Sequence, residues 1–251
     1  MDNEISENIN SVKKRIAIAA ARCGRDPHDV KLMAVTKTVA PKRIMDAVDT
    51  GIDLLGENYV QEAKEKIDFI KEHLLEKKCG AVQNWSDIFQ QPQWHMIGYL
   101  QANKAKYAVR LFDCIHSVDR RELAEELNKR AGLLPRKIKI LIEVNVSGEP
   151  TKNGVPAAAA LSLIKEISGL ENIAVRGLMT MAPYSDNPES SRPYFKALRE
   201  LRNDIRSAGI AGVLMEELSM GMTDDFAVAV EEGATIVRVG RAIFGARPDK
   251  Q

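Results

Sequence analysis

From residue 31 onward, short apolar runs alternate with longer stretches of helical spacing, and no feature of the chain limits its possible folds more. The runs are residues 31–36 (KLMAVT), 52–56 (IDLLG), 93–97 (QWHMI) and 112–117 (FDCIHS). They continue with 138–146 (IKILIEVNV), 173–180 (IAVRGLMT), 214–220 (LMEELSM) and 234–239 (ATIVRV), the seventh being the least regular. Between them Tyr59, Ala63, Ile67, Ile70 and Leu74 form one stripe at three- and four-residue steps. Leu123, Leu127, Ala131 and Leu134 form a second, and Phe195, Leu198, Leu201, Ile205 and Ala208 a third. Such spacing predicts helices that bury one face. Pro41 suits the first turn of a helix, and Thr223 before Asp224 and Asp225 reads as an N-cap followed by acids.

Strand followed by helix, repeated, calls for parallel pairing through right-handed crossovers. Eight such units predict a closed (β/α)8 TIM barrel rather than an open doubly wound sheet. No G-x-G-x-x-G follows the first strand, which disfavours a Rossmann domain. Ahead of the first strand, Ile5, Ile9, Val12, Ile16 and Ala19 mark an amphipathic helix ending near Gly24, so residues 1–24 are expected to cover the barrel. The 251 residues are thereby used up by one domain, with none left for a second. Residues 77–92 and 148–156 read as long turn-rich loops.

Composition narrows the classes of function. Lys and Arg total 36 against 35 Asp and Glu, a formal charge of +1, which gives no bulk attraction to nucleic acid or to an anionic membrane. No apolar run approaches the roughly 18 residues of a membrane span. The opening MDNEISENIN is acidic, unlike a signal or transit peptide. Cys23, Cys79 and Cys114 are odd in number and far apart, so they read as thiols of a reducing compartment, not as a disulfide frame or zinc site. A cytoplasmic protein without a bound metal is expected.

Lys37 ends the first strand, on the carboxyl face where barrel enzymes act, and shares the inward parity of Met33 and Val35. An amine rooted in an apolar wall is poorly solvated as an ammonium, which favours imine formation with an aldehyde; a solvated lysine at a strand–loop junction is the plainer alternative. After strand seven comes Ser219–Met220–Gly221–Met222, and after strand eight Arg238–Val239–Gly240–Arg241. Barrels commonly hold phosphate between those two loops, where glycine admits the anion and unpaired N–H groups at a helix start point toward it. Taken singly, Gly221 and Gly240 would be explained as tight turns; together they favour phosphate. Arg238 has inward parity and needs a partner, either a ligand atom such as a pyridine nitrogen or a carboxylate such as Glu217. Asn58, just past strand two, either meets a ligand or caps the next helix. His95 and His116 read as hydrogen-bonded core histidines before catalytic ones.

An amine on strand one with phosphate loops after strands seven and eight is a pyridoxal phosphate arrangement, and over nearly its whole length the chain resembles the YggS/PROSC family of pyridoxal phosphate homeostasis proteins. The resemblance rests on Ala34–Lys37 (AVTK), Gly56–Tyr59 (GENY) with Gln61 and Glu62, and Trp94–Gly98 (WHMIG) with Leu100, Gln101, Asn103 and Lys104. It continues through His116–Asp119 (HSVD), Gly177–Met181 (GLMTM), Leu218–Met222 (LSMGM), Val237–Gly240 (VRVG) and Ile243–Gly245 (IFG).

The resemblance implies a barrel like the amino-terminal domain of alanine racemases, with pyridoxal 5'-phosphate held by Lys37 as an internal aldimine. It implies phosphate binding by Ser219, Gly240 and Arg241 with a share for Gly221, Arg238 opposite the ring nitrogen, and Asn58 against the cofactor. An arginine keeps its proton and donates only to an unprotonated nitrogen, which weakens the ring as an electron sink and suits storage over catalysis. The implied function is a carrier that maintains the cofactor pool and releases it to apoenzymes, with no catalytic residue; because the extra helix would cover the surface by which racemases pair, a monomer is expected. An amino-acid racemase is the alternative; it needs a second acid/base, for which Tyr184 and Tyr59 are the available tyrosines. A Schiff-base aldolase fits less well, since those enzymes place the lysine on a later strand.

Overall fold

A computed structural model describes residues 3–80 and 91–246. In it, each of the eight expected runs forms a strand: β1 (Lys31–Val35), β2 (Leu54–Glu57), β3 (Gln93–Met96), β4 (Cys114–Val118), β5 (Ile138–Asn145), β6 (Ile173–Met179), β7 (Glu217–Ser219) and β8 (Ile236–Val239). Every neighbouring pair is parallel, β1 pairs with β8, and β4 with β5, so the sheet closes. Between them run α2 (Pro41–Asp49), α3 (Val60–Gly80), α4 (Ala105–Leu111), α5 (Arg121–Ala131), α6 (Ala157–Ile167), α7 (Arg192–Ser207) and α8 (Phe226–Glu231), with the short α9 (Arg241–Phe244) after β8. The predicted (β/α)8 barrel is the observed one.

Two hydrophobic layers account for the periodicities. Outside the sheet, one continuous core joins the strands to the helices, including Leu55, Ile115, Ile140 and Leu178 from the strands and Ile67, Leu127 and Leu198 from the helical stripes. Inside, smaller clusters of Met33, Leu54 and Ile236 and of Cys114, Leu141 and Met179 fill the axis. Alternate residues of each strand thus face different layers, as closure of a sheet requires.

The amino-terminal helix α1 (Asn3–Arg22) buries the whole predicted stripe, Ile5, Ile9, Val12, Ile16 and Ala19. It packs against α2, α8 and α9. Near its start Asn8 Nδ2 donates to Ile243 O at 3.1 Å, and just beyond its end Arg25 donates to Val230 O at 2.6 Å and Ala234 O at 2.9 Å. It therefore lies along the barrel's flank, where the four-residue α9 is too short to cover the seam between β8 and β1.

Several local expectations are corrected. Tyr59 is exposed, so the buried face of α3 starts at Val60 and continues through Ala63, Ile67, Ile70 and Leu74. Residues 77–80 continue α3 instead of opening a loop, while the rest of that loop up to residue 90 and the Cys79 side chain lie outside the described residues. Residues 148–156 are partly ordered by Asn145, whose side chain donates to Glu149 O and Lys152 O and accepts from Gly148 N, and Val155–Pro156 adds a short strand to β5. Asp225, not Thr223, precedes α8, and its carboxylate accepts from Met222 N and Ser191 Oγ. Pro41 does begin α2.

Candidate functional site

At the carboxyl end of the barrel a furrow opens between the loops after β1 and β8, with cavities of about 240 and 210 Å³ that share Val35, Lys37, Gly240 and Arg241. Lys37 lies two residues past β1 and is half-buried against Val35. Its backbone is held by a group of charges that the sequence reading overlooked. Buried Lys66 of α3 donates to Thr36 O at 2.5 Å, Glu57 Oε1 at 2.7 Å and Glu62 Oε1 at 2.6 Å. Thr36 Oγ1 donates to Glu57 Oε1 at 2.6 Å, and Thr38 N to Glu62 Oε1 at 2.5 Å. Thr38 has φ of 64°, an uncommon conformation for a β-branched residue, so the turn that presents Lys37 is strained and clamped on both sides. The available signal was Glu62 and Lys66 at i,i+4 behind Glu57; nothing local tied them to residue 36.

Burial raises the Glu57 carboxyl above its ordinary range, against the opposing pull of Lys66 and the Thr36 hydroxyl. Its Oε2 is buried with no hydrogen-bond partner. The clamp is thus a desolvated ion pair whose worth is positional more than energetic.

Arg238 stands on β8 beneath the furrow, 4% exposed. Its Nη1 donates to Ser219 O and Oγ, each at 2.7 Å, and Nη2 to Thr180 O at 2.8 Å. Glu217 is not its partner; that carboxylate pairs with Lys31 and accepts from Thr235 Oγ1 at the opposite end of the barrel. Burial lowers the Arg238 guanidinium to about 10, with Glu143 and Asp225 pulling upward, so it stays charged at neutral pH. Glu143, also buried, is raised to about 7 by desolvation and by Asp119, with Arg238 opposing.

Gly240 and Arg241 line the furrow directly. Gly240 precedes α9, whose first N–H groups have no intrahelical acceptor. A Cβ at 240 would reach within 3.4 Å of Val35 O, narrowing the channel between the two loops. The Arg241 side chain is half-exposed and bonded to Asp224. Asn58 also lines the furrow, and Gly98 allows the β3 loop to approach it: a Cβ there would lie 2.5 Å from Asn58 O.

Two expected site residues sit elsewhere. Ser219 is fully buried below the furrow, its hydroxyl engaged by Arg238 and, at 3.0 Å, by His116 Nδ1. Gly221 is buried as well; its φ of 88° and the 2.5 Å a Cβ would leave to Ala229 Cβ explain it as a turn packed on α8. Tyr184 does line the furrow, but it is 79% exposed and its hydroxyl donates at 2.9 Å to Asp186; that hydrogen bond, with the carboxylate charge behind it, holds the phenol above its usual range. Tyr59 opens on a neighbouring cavity. His95 and His116 are core histidines joined ring to ring at 2.8 Å, and with Cys114 they form a cluster of potential ligand atoms within 4.8 Å, a grouping their sequence spacing did not announce.

Comparison with known proteins finds relatives over nearly the whole chain. The family described as alanine racemase, N-terminal domain, matches residues 8–248. The pyridoxal phosphate homeostasis protein of Aquifex aeolicus is 43% identical over 241 residues, 96% of this chain and 97% of that one. PipY of Synechococcus elongatus, whose structure is known without and with pyridoxal phosphate (PLP) bound, superposes with TM-scores of 0.80 and 0.79. Its identity is 33% and 32% respectively, over 96% of this chain and all of PipY. Alanine racemase of Clostridium difficile, 15% identical, shares the fold at a TM-score of 0.68, over 99% of this chain and 58% of its own.

Proposed function

The chain belongs to the pyridoxal phosphate homeostasis protein family, built on the alanine racemase N-terminal domain, and we propose that its rim furrow binds pyridoxal 5'-phosphate through Lys37 and releases it to apoenzymes. The observation that carries this reading is that Lys37, Gly240, Arg241 and Arg238 border one cavity. An amine, backbone donors at a helix start and a buried guanidinium are what an aldehyde, a phosphate and a heteroaromatic nitrogen require. The residues fit the group.

When bound, the cofactor supplies an aldehyde that condenses reversibly with an amine. Lys37 is the nucleophile, aimed by the clamp of Glu57, Glu62 and Lys66 on the residues either side of it. Gly240 and the first turn of α9 bind the anion, and Arg241 adds positive charge at that end. Ser219 supports Arg238 from below. Arg238 only donates, so it accommodates an unprotonated ring nitrogen and does not supply a proton there. Asn58 borders the cofactor on the β2 side.

Binding and exchange are favoured over racemisation by Tyr184. A proton-abstracting group must be held in place and ready to accept, whereas this hydroxyl is exposed and donates to Asp186. Coverage of the barrel's flank by α1 supports a monomer. Among the described residues no helix is long and apolar enough to cross a membrane, in keeping with a cytoplasmic carrier.

Incubation with pyridoxal phosphate, borohydride reduction and peptide mass spectrometry test the reading: the added mass falls on Lys37 and disappears in Lys37→Ala. Modification elsewhere, or none, refutes it. Incubation with L-alanine in deuterated water separates the two functions. A carrier shows stoichiometric exchange of amines without deuterium entering the α-position, and catalytic incorporation establishes the racemase.

A further inference from the structure

A line of hydrogen bonds descends the barrel axis from Arg238, and its direction is determined by chemistry. A guanidinium has donors only, so Ser219 Oγ accepts from Arg238 Nη1. The Ser219 hydroxyl proton then has one acceptor, His116 Nδ1 at 3.0 Å; the opposite order would strand that proton in a fully buried site. With Nδ1 accepting, a neutral His116 carries its hydrogen on Nε2 and donates it to His95 Nδ1 at 2.8 Å. His95 therefore carries its own hydrogen on Nε2. Burial depresses both imidazoles, His95 to about 3, so both rings are neutral near pH 7.

That last N–H is the exposed end of the line. His95 is 94% buried by the measure of its 6% exposure, and no residue among those described accepts a hydrogen bond from its Nε2. It faces a cavity of about 180 Å³ at the amino-terminal end of the barrel, opposite the rim furrow. The same cavity is lined by three cations and two carboxylates. Lys31 pairs with Glu217 and Arg176 with Glu216, while Lys139 pairs with no carboxylate among the described residues. Arg176 Nε is buried without a partner. Cys114, in the same wall, is kept a thiol by burial. Unused donors and one uncompensated positive charge converge on a concave space.

We propose that this lower cavity is a binding site for a small monocarboxylate, with His95 Nε2–H as its buried donor and Lys139 as its counter-charge. The proposal does not depend on what the rim furrow binds. It differs from a metal site on His95, Cys114 and His116: a metal bridging the two rings would take the atoms that hydrogen-bond them together, and would reverse the proton order up to Ser219.

Acetate is the probe, added to the full-length chain labelled with ¹⁵N at histidine, with sodium chloride at matched ionic strength as control. Before addition both His95 and His116 are expected as Nε2–H tautomers. Acetate then shifts the His95 Nε2–H signal saturably, and chloride does not. Lys139→Glu, at an exposed position that leaves the fold intact, weakens acetate by about tenfold or more, the loss of one charge-assisted hydrogen bond. An Nδ1–H tautomer at either ring, a linear response indistinguishable from chloride, or tighter binding of inorganic phosphate than of acetate overturns the proposal. So does stoichiometric Zn²⁺ binding that perturbs both rings.

Discussion

Replacing Lys66 by methionine keeps most of the side-chain volume and removes a charge that satisfies three oxygens at 2.5–2.7 Å. The Lys66 side chain is 5% exposed and that of Glu57 fully buried, so solvent cannot take over the role of the ammonium. Breaking a buried pair from one side costs about 3–5 kcal/mol. For a chain of this size that lowers Tm by about 6–20 °C. The loss depends on pH in a defined sense. Glu57 is already raised by burial, and without Lys66 the largest opposing influence is gone, so its folded pKa rises further above the ordinary value of about 4.5. A group raised on folding costs nothing where both states are protonated, below the unfolded pKa, and its cost grows as pH climbs toward the folded pKa. Lys66→Met is thus expected to lose roughly 1–2 kcal/mol near pH 4, where only hydrogen bonds are missing, and the full amount near pH 7.5. Thermal unfolding of wild type and variant at the two pH values measures it. Adding Glu57→Gln to Lys66→Met removes the stranded carboxyl and restores part of the stability at the higher pH. An equal loss at both pH values, or a double variant no better than the single one, refutes the reasoning.

Glu143, at about 7, is likewise raised above its ordinary value, so wild-type stability falls between about pH 5 and pH 7.5 and levels off above. Glu143→Gln flattens that fall by on the order of 3 kcal/mol, with a residual slope left by Glu57, and a Tm series against pH reads the difference. Gly177→Ala would set a Cβ 1.9 Å from Glu217 O across the β6–β7 pairing, so denaturant unfolding is expected to show a loss of at least about 1–3 kcal/mol. Ile9→Ala empties a fully buried position of α1 and costs about 2–5 kcal/mol in the same assay, against less than 1 kcal/mol for exposed Lys13→Ala.

The barrel was legible because burial leaves a local trace. Each strand is two-sided and each helix has one apolar stripe, so Ile5 to Ala19 and Ala63 to Leu74 announce their elements without reference to distant residues. The position of Lys37 and Gly240 at the rim was legible for a related reason: the end of a strand is a local property, and in this architecture it lies at the carboxyl mouth of the barrel. The depth of Ser219 was not legible, since its place at the end of the seventh strand does not say how far below the rim its hydroxyl lies.

The amino-acid order by itself determined the alternation of strand and helix, the amphipathic α1, and which residues end the first and last strands. Only the tertiary structure decided that Lys66 reaches residue 36, that α1 fills the flank left open by a short α9, and that Arg238, Ser219, His116 and His95 fall into one line. Those last four side chains come from four different strands, up to 143 residues apart between His95 and Arg238. Their level along the axis follows from the stagger of eight paired strands, with shifts in register between β4 and β5 and between β5 and β6. Stagger is a property of the closed sheet, and no stretch of chain short enough to show a periodicity contains it.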